Sequence, residues 1–272
     1  MNKTKIDWCN STWNPVTGCL HGCEYCYARG IAERFGGMEY GMPKHRMGIN
    51  HILTAPMCHE TKSGNAIAAA YPFGFDPTLY KYRLGDYIGK KGRNIFVCSM
   101  ADLFGSWVPD EWIEEVFAAC AKAPQHNYLF LTKNPKRYLD LEESGKLPRN
   151  DNMWYGVTIT NMKQVEKTYE AVAYLPGSVN LFFSIEPLLE DISMHPQWSE
   201  MAINSWMNWV IIGAETGSRR NKTVPERKWI ENLVDDCGFM EIPVFMKSSL
   251  RNIWGEPLMQ EFPWELKGNN DI

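Results

Sequence analysis

From residue 94 onward the chain alternates short apolar runs with longer stretches of helical period, and few folds are compatible with that rhythm. The apolar runs are Ile95–Cys98, Tyr128–Leu131, Trp154–Thr158, Leu181–Ile185, Trp209–Gly213 and Pro243–Met246. Each has the length of a buried strand. Between them, Pro109 to Ala123 sets Trp112, Val116, Phe117 and Cys120 on one helical face, Pro135 opens a helix, and further helices are expected over Met162–Leu175 and Pro225–Cys237. Strands separated by helices pair in parallel under a helical layer. With a first strand over Ser11–Thr17 the series has seven members. The expectation is an α/β chain folded as a complete or partial (β/α) TIM-like barrel, with an open doubly wound sheet as the competing arrangement.

The stretch 36–92 breaks the rhythm. It holds glycines, prolines, two histidines near methionines and the small-residue run Ala66–Ala70. It is too long for a simple connection and is expected to be an insertion within a single domain, 1–272, of the kind that shapes a substrate site. Hydrophobic residues make up 44% of the 272, enough for a large core, and the net charge of −4 excludes a global field attracting nucleic acid. No run approaches the roughly 18 apolar residues of a membrane span. The N-terminus lacks a signal-peptide core, so the chain reads as cytoplasmic. Eight cysteines in such a chain argue for thiols rather than a disulfide scaffold. Cys9, Cys58, Cys98, Cys120 and Cys237 are scattered and read as buried structural thiols. The 11 tryptophans read as packing residues.

Each apolar run ends in polar residues: Ser99 and Asp102, then Thr132, Lys133 and Asn134, then Thr160 and Asn161, Ser184 and Glu186, Glu215 and Thr216, Lys247 and Ser248. In parallel α/β folds ligands bind at this C-terminal edge. Polar residues also mark loops and cap helices, but six successive ends of this kind favour one polar pocket.

The sharpest motif is Gly18-Cys19-Leu20-His21-Gly22-Cys23-Glu24-Tyr25-Cys26, a C-x3-C-x2-C spacing. Three thiolates so close reach one metal centre, and sulfur ligands suit zinc or an iron–sulfur cluster. Structural zinc takes four protein ligands. His21 is the one nearby fourth donor, and no second C-x2-C knuckle follows. A 4Fe-4S cluster on three cysteines leaves one iron open for a ligand.

The motif, with Tyr25 before its last cysteine, resembles the signature of the radical S-adenosylmethionine (SAM) superfamily, and its position between a first strand and a helical stretch, Tyr27 to Phe35, is similar to that superfamily's cluster loop. The resemblance implies a radical SAM barrel and Cys19, Cys23 and Cys26 as cluster ligands. It also implies SAM chelated at the open iron, reductive cleavage to a 5′-deoxyadenosyl radical, and an electron donor such as flavodoxin or ferredoxin. It further implies that Tyr25 lies near the adenine, that Ser99 and Asp102 approach the methionyl amino group, where the usual glycine-glycine-glutamate is replaced by Ser99-Met100-Ala101-Asp102, that Ser184 and Glu186 meet the ribose and carboxylate, and that Glu215 lies on the adenine-contacting strand. Thr12–Cys19, Phe96–Phe104, Leu131–Lys133, Ser184–Leu188 and Gly213–Gly217 resemble a phage and prophage family known for its three-cysteine motif, which implies a mobile-element setting and carries no substrate.

Two basic clusters, Lys81, Arg83, Lys90, Lys91 and Arg93, then Arg219, Arg220, Lys222, Arg227 and Lys228, suit phosphates, although a solvated charged face accounts for either one alone. The leading expectation is a radical SAM enzyme acting on a nucleic acid or nucleotide, by repair or modification. Lys133 and Lys247 are its candidate catalytic-pocket residues on the substrate side, unless each merely pairs with Glu186 or Glu215. The competing class is a zinc-stabilised nucleic-acid-binding or adaptor protein without catalysis.

Overall fold

In the computed structural model, the residues described are 4–36, 50–60, 63–204, 206–217 and 219–268. The chain opens with β1 (Ser11–Trp13), β2 (Val16–Thr17) and α1 (Tyr27–Phe35), followed by short strands β3 (His51–Leu53), β4 (Cys58–Glu60), β5 (Ala66–Ala68) and β6 (Thr78–Tyr80). The regular series then runs β7 (Asn94–Val97), α2 (Asp110–Ala121), β8 (Asn127–Thr132), α3 (Lys136–Glu143), β9 (Met153–Thr158) and α4 (Met162–Val172). It continues through β10 (Asn180–Ile185), α5 (Pro196–Ile203), β11 (Trp209–Ile212), α6 (Arg227–Phe239) and β12 (Val244–Met246) to two short helices, α7 (Arg251–Trp254) and α8 (Trp264–Lys267).

β1 and β7 to β12 form one seven-stranded sheet in the order β1-β7-β8-β9-β10-β11-β12, and every pair is parallel. The order never reverses, which excludes the doubly wound arrangement. Side chains alternate across the sheet. In β10, Leu181, Phe183 and Ile185 join the large core that includes the helices, and Phe182 joins a second cluster on the opposite face.

That second cluster shows that the sheet curls. Trp8 lies 4.7 Å from Phe96 of β7, 6.1 Å from Phe182 of β10 and 6.3 Å from Trp209 of β11, between ring centroids. In a flat sheet β7 and β11, four steps apart, would be separated by about 19 Å. One indole touches both because the sheet wraps around it. Among the described residues β12 does not pair with β1, so the barrel is partial. Instead the outer edge of β12 is covered by the chain's return, with Met246 N donating to Met259 O and Glu261 N to Val244 O. Gly156 permits the tight interior, since a Cβ there would lie 2.3 Å from Cζ of Phe182.

The expected single strand over Ser11–Thr17 is two strands in two sheets. Pro15 has no N–H to continue a ladder, and the chain turns at Asn14-Pro15 so that β2 pairs antiparallel with β6 in a small sheet with β3. Within the stretch expected as an insertion, β4 and β5 form a hairpin that takes in Ala66–Ala68. Residues 37–49 of that stretch, with one of its histidines, lie outside the described residues. All eight cysteines are free thiols; Cys9, Cys98, Cys120 and Cys237 are buried as expected, whereas Cys58 is exposed. No described helix is long and apolar enough to cross a membrane.

Candidate active site

The C-terminal strand ends open onto a cavity of about 1080 Å³, its mouth included, and all eleven of the site residues expected from sequence line it. Cys19, Cys23, Cys26 and Tyr25 come from the loop after β2, Ser99 and Asp102 follow β7, and Lys133 follows β8. Ser184 lies near the end of β10, with Glu186 just after it, Glu215 follows β11, and Lys247 follows β12. Trp8, Phe96 and Leu131 supply apolar wall.

Gly18 sets the cysteine loop in place. Its φ of +89° and a Cβ that would fall 2.2 Å from Asp76 O leave room for glycine alone. Its N–H donates to Met100 O, and Cys19 N–H donates to Phe75 O, tying the loop to the turn after β7 and to the segment before β6. At the far end Cys26 caps α1, its Sγ accepting from Arg29 N at 3.4 Å. A sulfur there faces the positive end of the helix. Burial pushes the Cys19 thiol up to about 12, and Asp102, Cys26 and Cys23 push in the same direction. Holding all three cysteines as thiolates would require a compensating cation.

Asp102 is a hub, and this changes its expected part. Its Oδ1 accepts from Phe104 N at 3.0 Å and Thr132 Oγ1 at 2.8 Å. Its Oδ2 accepts from Lys133 N at 2.9 Å and lies 2.6 Å from His21 Nε2. A buried carboxylate with four partners has little left for a cofactor's ammonium. It fastens the cysteine loop, through His21, to the ends of β7 and β8. His21, edge-on to Trp107 at 4.8 Å, has its Nε2 engaged there rather than on a metal.

Ser99 is likewise occupied. Its Oγ donates to Asn14 Oδ1 and its carbonyl accepts from Tyr27 Oη, while Met100 N also donates to Asn14 Oδ1. Glu215 departs most from expectation. Arg219 grips both its oxygens at 2.7 Å and reaches Glu24 of the cysteine loop at 2.6 Å. The guanidinium of Arg219 holds the Glu215 carboxyl below its ordinary value. Arg219 is thus a strap across the mouth, and the second basic cluster loses its first member to it.

The two lysines part company. Lys247 pairs with Glu186, the alternative allowed from sequence. Gly213 makes room for the pair, since a Cβ there would lie 3.1 Å from Lys247 Cδ and 3.3 Å from Glu186 Cγ. Lys133 has its ammonium 5.4 Å over the Tyr25 ring. Burial lowers its pKa, while Cys23, Asp102, Cys19 and Cys26 oppose that shift. It faces the cysteines rather than the far side of the pocket. Tyr25 is pushed up to about 12 by burial and by Cys23, and its hydroxyl reaches Thr160.

Ser184 is 1% exposed, and its Oγ has no hydrogen-bond partner. A buried hydroxyl without a partner on a cavity wall is matched to a polar ligand. Among the described residues no group of three or more His, Cys, Asp or Glu side chains is set to hold a single metal ion. The sequence reading missed Asn14, Tyr27, the His21–Asp102 link and the Arg219 strap. Apart from the Arg219–Glu215 contact, which spans four residues, each joins residues tens of positions apart, as with Asn14 to Ser99 and His21 to Asp102.

Residues 3–262 match the family described as protein of unknown function (DUF5131). No curated protein matches the sequence. Similar solved structures include spore photoproduct lyase in three forms. A cysteine-to-alanine variant with dinucleoside spore photoproduct is 9% identical with a TM-score of 0.53. A doubly substituted variant with bound AdoMet and dinucleoside spore photoproduct is 8% identical with a TM-score of 0.53. A complex with dinucleoside spore photoproduct is 10% identical with a TM-score of 0.51. Each alignment covers 90% of this chain and 78% of the other. At this identity the likeness establishes a shared fold.

Proposed function

We propose that this chain, which belongs to the DUF5131 family, is a radical SAM enzyme acting on a nucleic acid or nucleotide. The observation that carries the reading is the meeting of Cys19, Cys23 and Cys26 with Ser184 and Lys133 in one cavity at the C-terminal strand ends. The donor set fits a 4Fe-4S cluster: three cysteines on one loop, one of them a helix cap, beside a lysine. Zinc fits less well, because a structural zinc takes four protein ligands and Nε2 of His21, the one nearby fourth donor, is bonded to Asp102.

Bound there, the cluster and SAM supply reductive cleavage of SAM and hydrogen abstraction from the substrate. The chain's own residues do the rest. Lys133, beside the cysteines, is the cation suited to a carboxylate held at the cluster. Ser184 offers an unsatisfied hydroxyl to the ribose or the carboxylate. Tyr25 and the apolar wall exclude water. Asp102 and Glu215 serve as positioning residues, holding the cysteine loop and the mouth. The reductant is a partner protein of the flavodoxin or ferredoxin kind. Support for a nucleic-acid substrate comes from the fold shared with spore photoproduct lyase, whose structures hold a dinucleoside.

The test is anaerobic reconstitution followed by an assay for 5′-deoxyadenosine with single- and double-stranded DNA and RNA. The reconstituted protein is expected to be brown, with thiolate-to-iron absorbance near ~400 nm. Alanine at Cys19, Cys23 or Cys26 should abolish both the colour and the product. Full iron content in the triple variant, or one zinc per colourless chain, would overturn the reading.

A further inference from the structure

A second cleft, of about 940 Å³ with its mouth included, lies against the β1–β2 connection and has none of the cavity's residues in its walls. Thr12, Asn14, Thr17, Tyr71, Arg83 and Lys90 line it. The Arg83 guanidinium lies over the Tyr80 ring, 3.7 Å from its centroid, and 5.5 Å from that of Tyr82. One of its nitrogens, Nη1, donates to Asn14 O at 3.2 Å. A guanidinium carries five N–H donors in a rigid fork, so most of its hydrogen-bonding capacity is unspent while its orientation is fixed. The Lys90 ammonium lies 5.3 Å over the Tyr87 ring. Among the described residues neither cation has an ion-pair partner. Asp86, the one carboxylate lining the cleft, is exposed and lies near enough to attract both cations, but it forms an ion pair with neither.

The cavity offers a contrast. There Lys247 is answered by Glu186 and Arg219 by Glu215 and Glu24, while Lys133 faces thiols. A phosphate entering it would meet two cations already paired and a third, Lys133, set beside the cysteines. The phosphates of a nucleic-acid substrate therefore need a seat elsewhere, and the second cleft holds two oriented cations free to supply it. Asn14 joins the two: its carbonyl accepts from Arg83, and its Oδ1 holds Ser99 and Met100 at the cavity rim.

We propose that this cleft is a phosphate-binding site, with Arg83 bonding a phosphate through its fork and Lys90 adding a point charge. Assigning that phosphate to the substrate rests on the nucleic-acid reading above; the site itself does not.

The test uses the full chain and a fluorescein-labelled single-stranded oligonucleotide, followed by anisotropy at several salt concentrations, with pyrophosphate titrated separately. Binding is expected at low salt. Arg83→Met and Lys90→Met should each weaken it about tenfold and lower the salt slope by about one. Arg83→Lys should fall between, and Lys136→Met, removing a solvent-facing cation of α3, should change nothing. If Arg83→Met fails to fold, Lys90→Met carries the test. Sensitivity to both variants with pyrophosphate but not the oligonucleotide would keep the site and assign it to a free phosphate. Binding unchanged in both variants, or no binding of either probe, would overturn it. The readout does not involve SAM cleavage, so failure of the radical SAM reading shows in iron content and 5′-deoxyadenosine, separately from this result.

Discussion

At the scale of single residues, the site is held by groups that spend their hydrogen bonds on each other. Asp102 shows this best, because each of its oxygens serves the backbone of one strand end and a side chain of another element. Asp102→Asn replaces one acceptor oxygen with an amide that faces donors. The variant is expected to lose about 2–3 kcal/mol, the scale for leaving buried partners of a charged group unmet. It should also lose iron more readily, because His21 no longer anchors the cysteine loop. Denaturant midpoint and iron content after gel filtration check both. An Asp102→Asn protein as stable as the parent, with full iron, would show that the hub is dispensable.

Among the elements, the segment after β11 depends on one ion pair. Glu215 is buried and its partner Arg219 is partly exposed, so the contact stabilises less than a fully buried one. The sign of its pH dependence follows from the lowered carboxyl pKa. The stabilisation is complete above the unfolded carboxyl's value and is lost as pH falls through the lower folded value. Glu215→Gln should therefore differ from the parent by a constant amount above about pH 5, and the gap should narrow as pH falls below about 4. Thermal melts of the two proteins across that range measure it. A gap that does not narrow between about pH 5 and about pH 3 would mean that Glu215 acts through packing instead.

For the molecule as a whole, the partial barrel is closed from within. Trp8 precedes the first strand, yet it packs against β7, β10 and β11 at once. Trp8→Ala removes the plug on which the sheet curls, with an expected loss of about 3–5 kcal/mol and a Tm lower by about 10 °C. The same side chain floors the cavity, so cofactor binding should weaken as well. A Tm within 2 or 3 degrees of the parent would place the curvature in the strands themselves.

Periodicity and spacing alone determined the seven parallel strands, their order along the chain and the cysteine loop, because each is written in neighbouring residues. The gathering of the eleven site residues also followed from sequence, since parallel strands carry all their C-terminal ends to one edge. What each residue does there was decided by tertiary structure. Lys133 and Lys247 occupy equivalent positions after apolar strands, yet one faces the thiols and the other is neutralised by Glu186. Asp102 and Glu215 looked like ligands of a cofactor and are committed to His21 and Arg219. Strand periodicity fixes which edge a side chain occupies, but its partner comes from a different strand or loop. The pairing energy that decides between a free and a spent charge exists only once the sheet has curled.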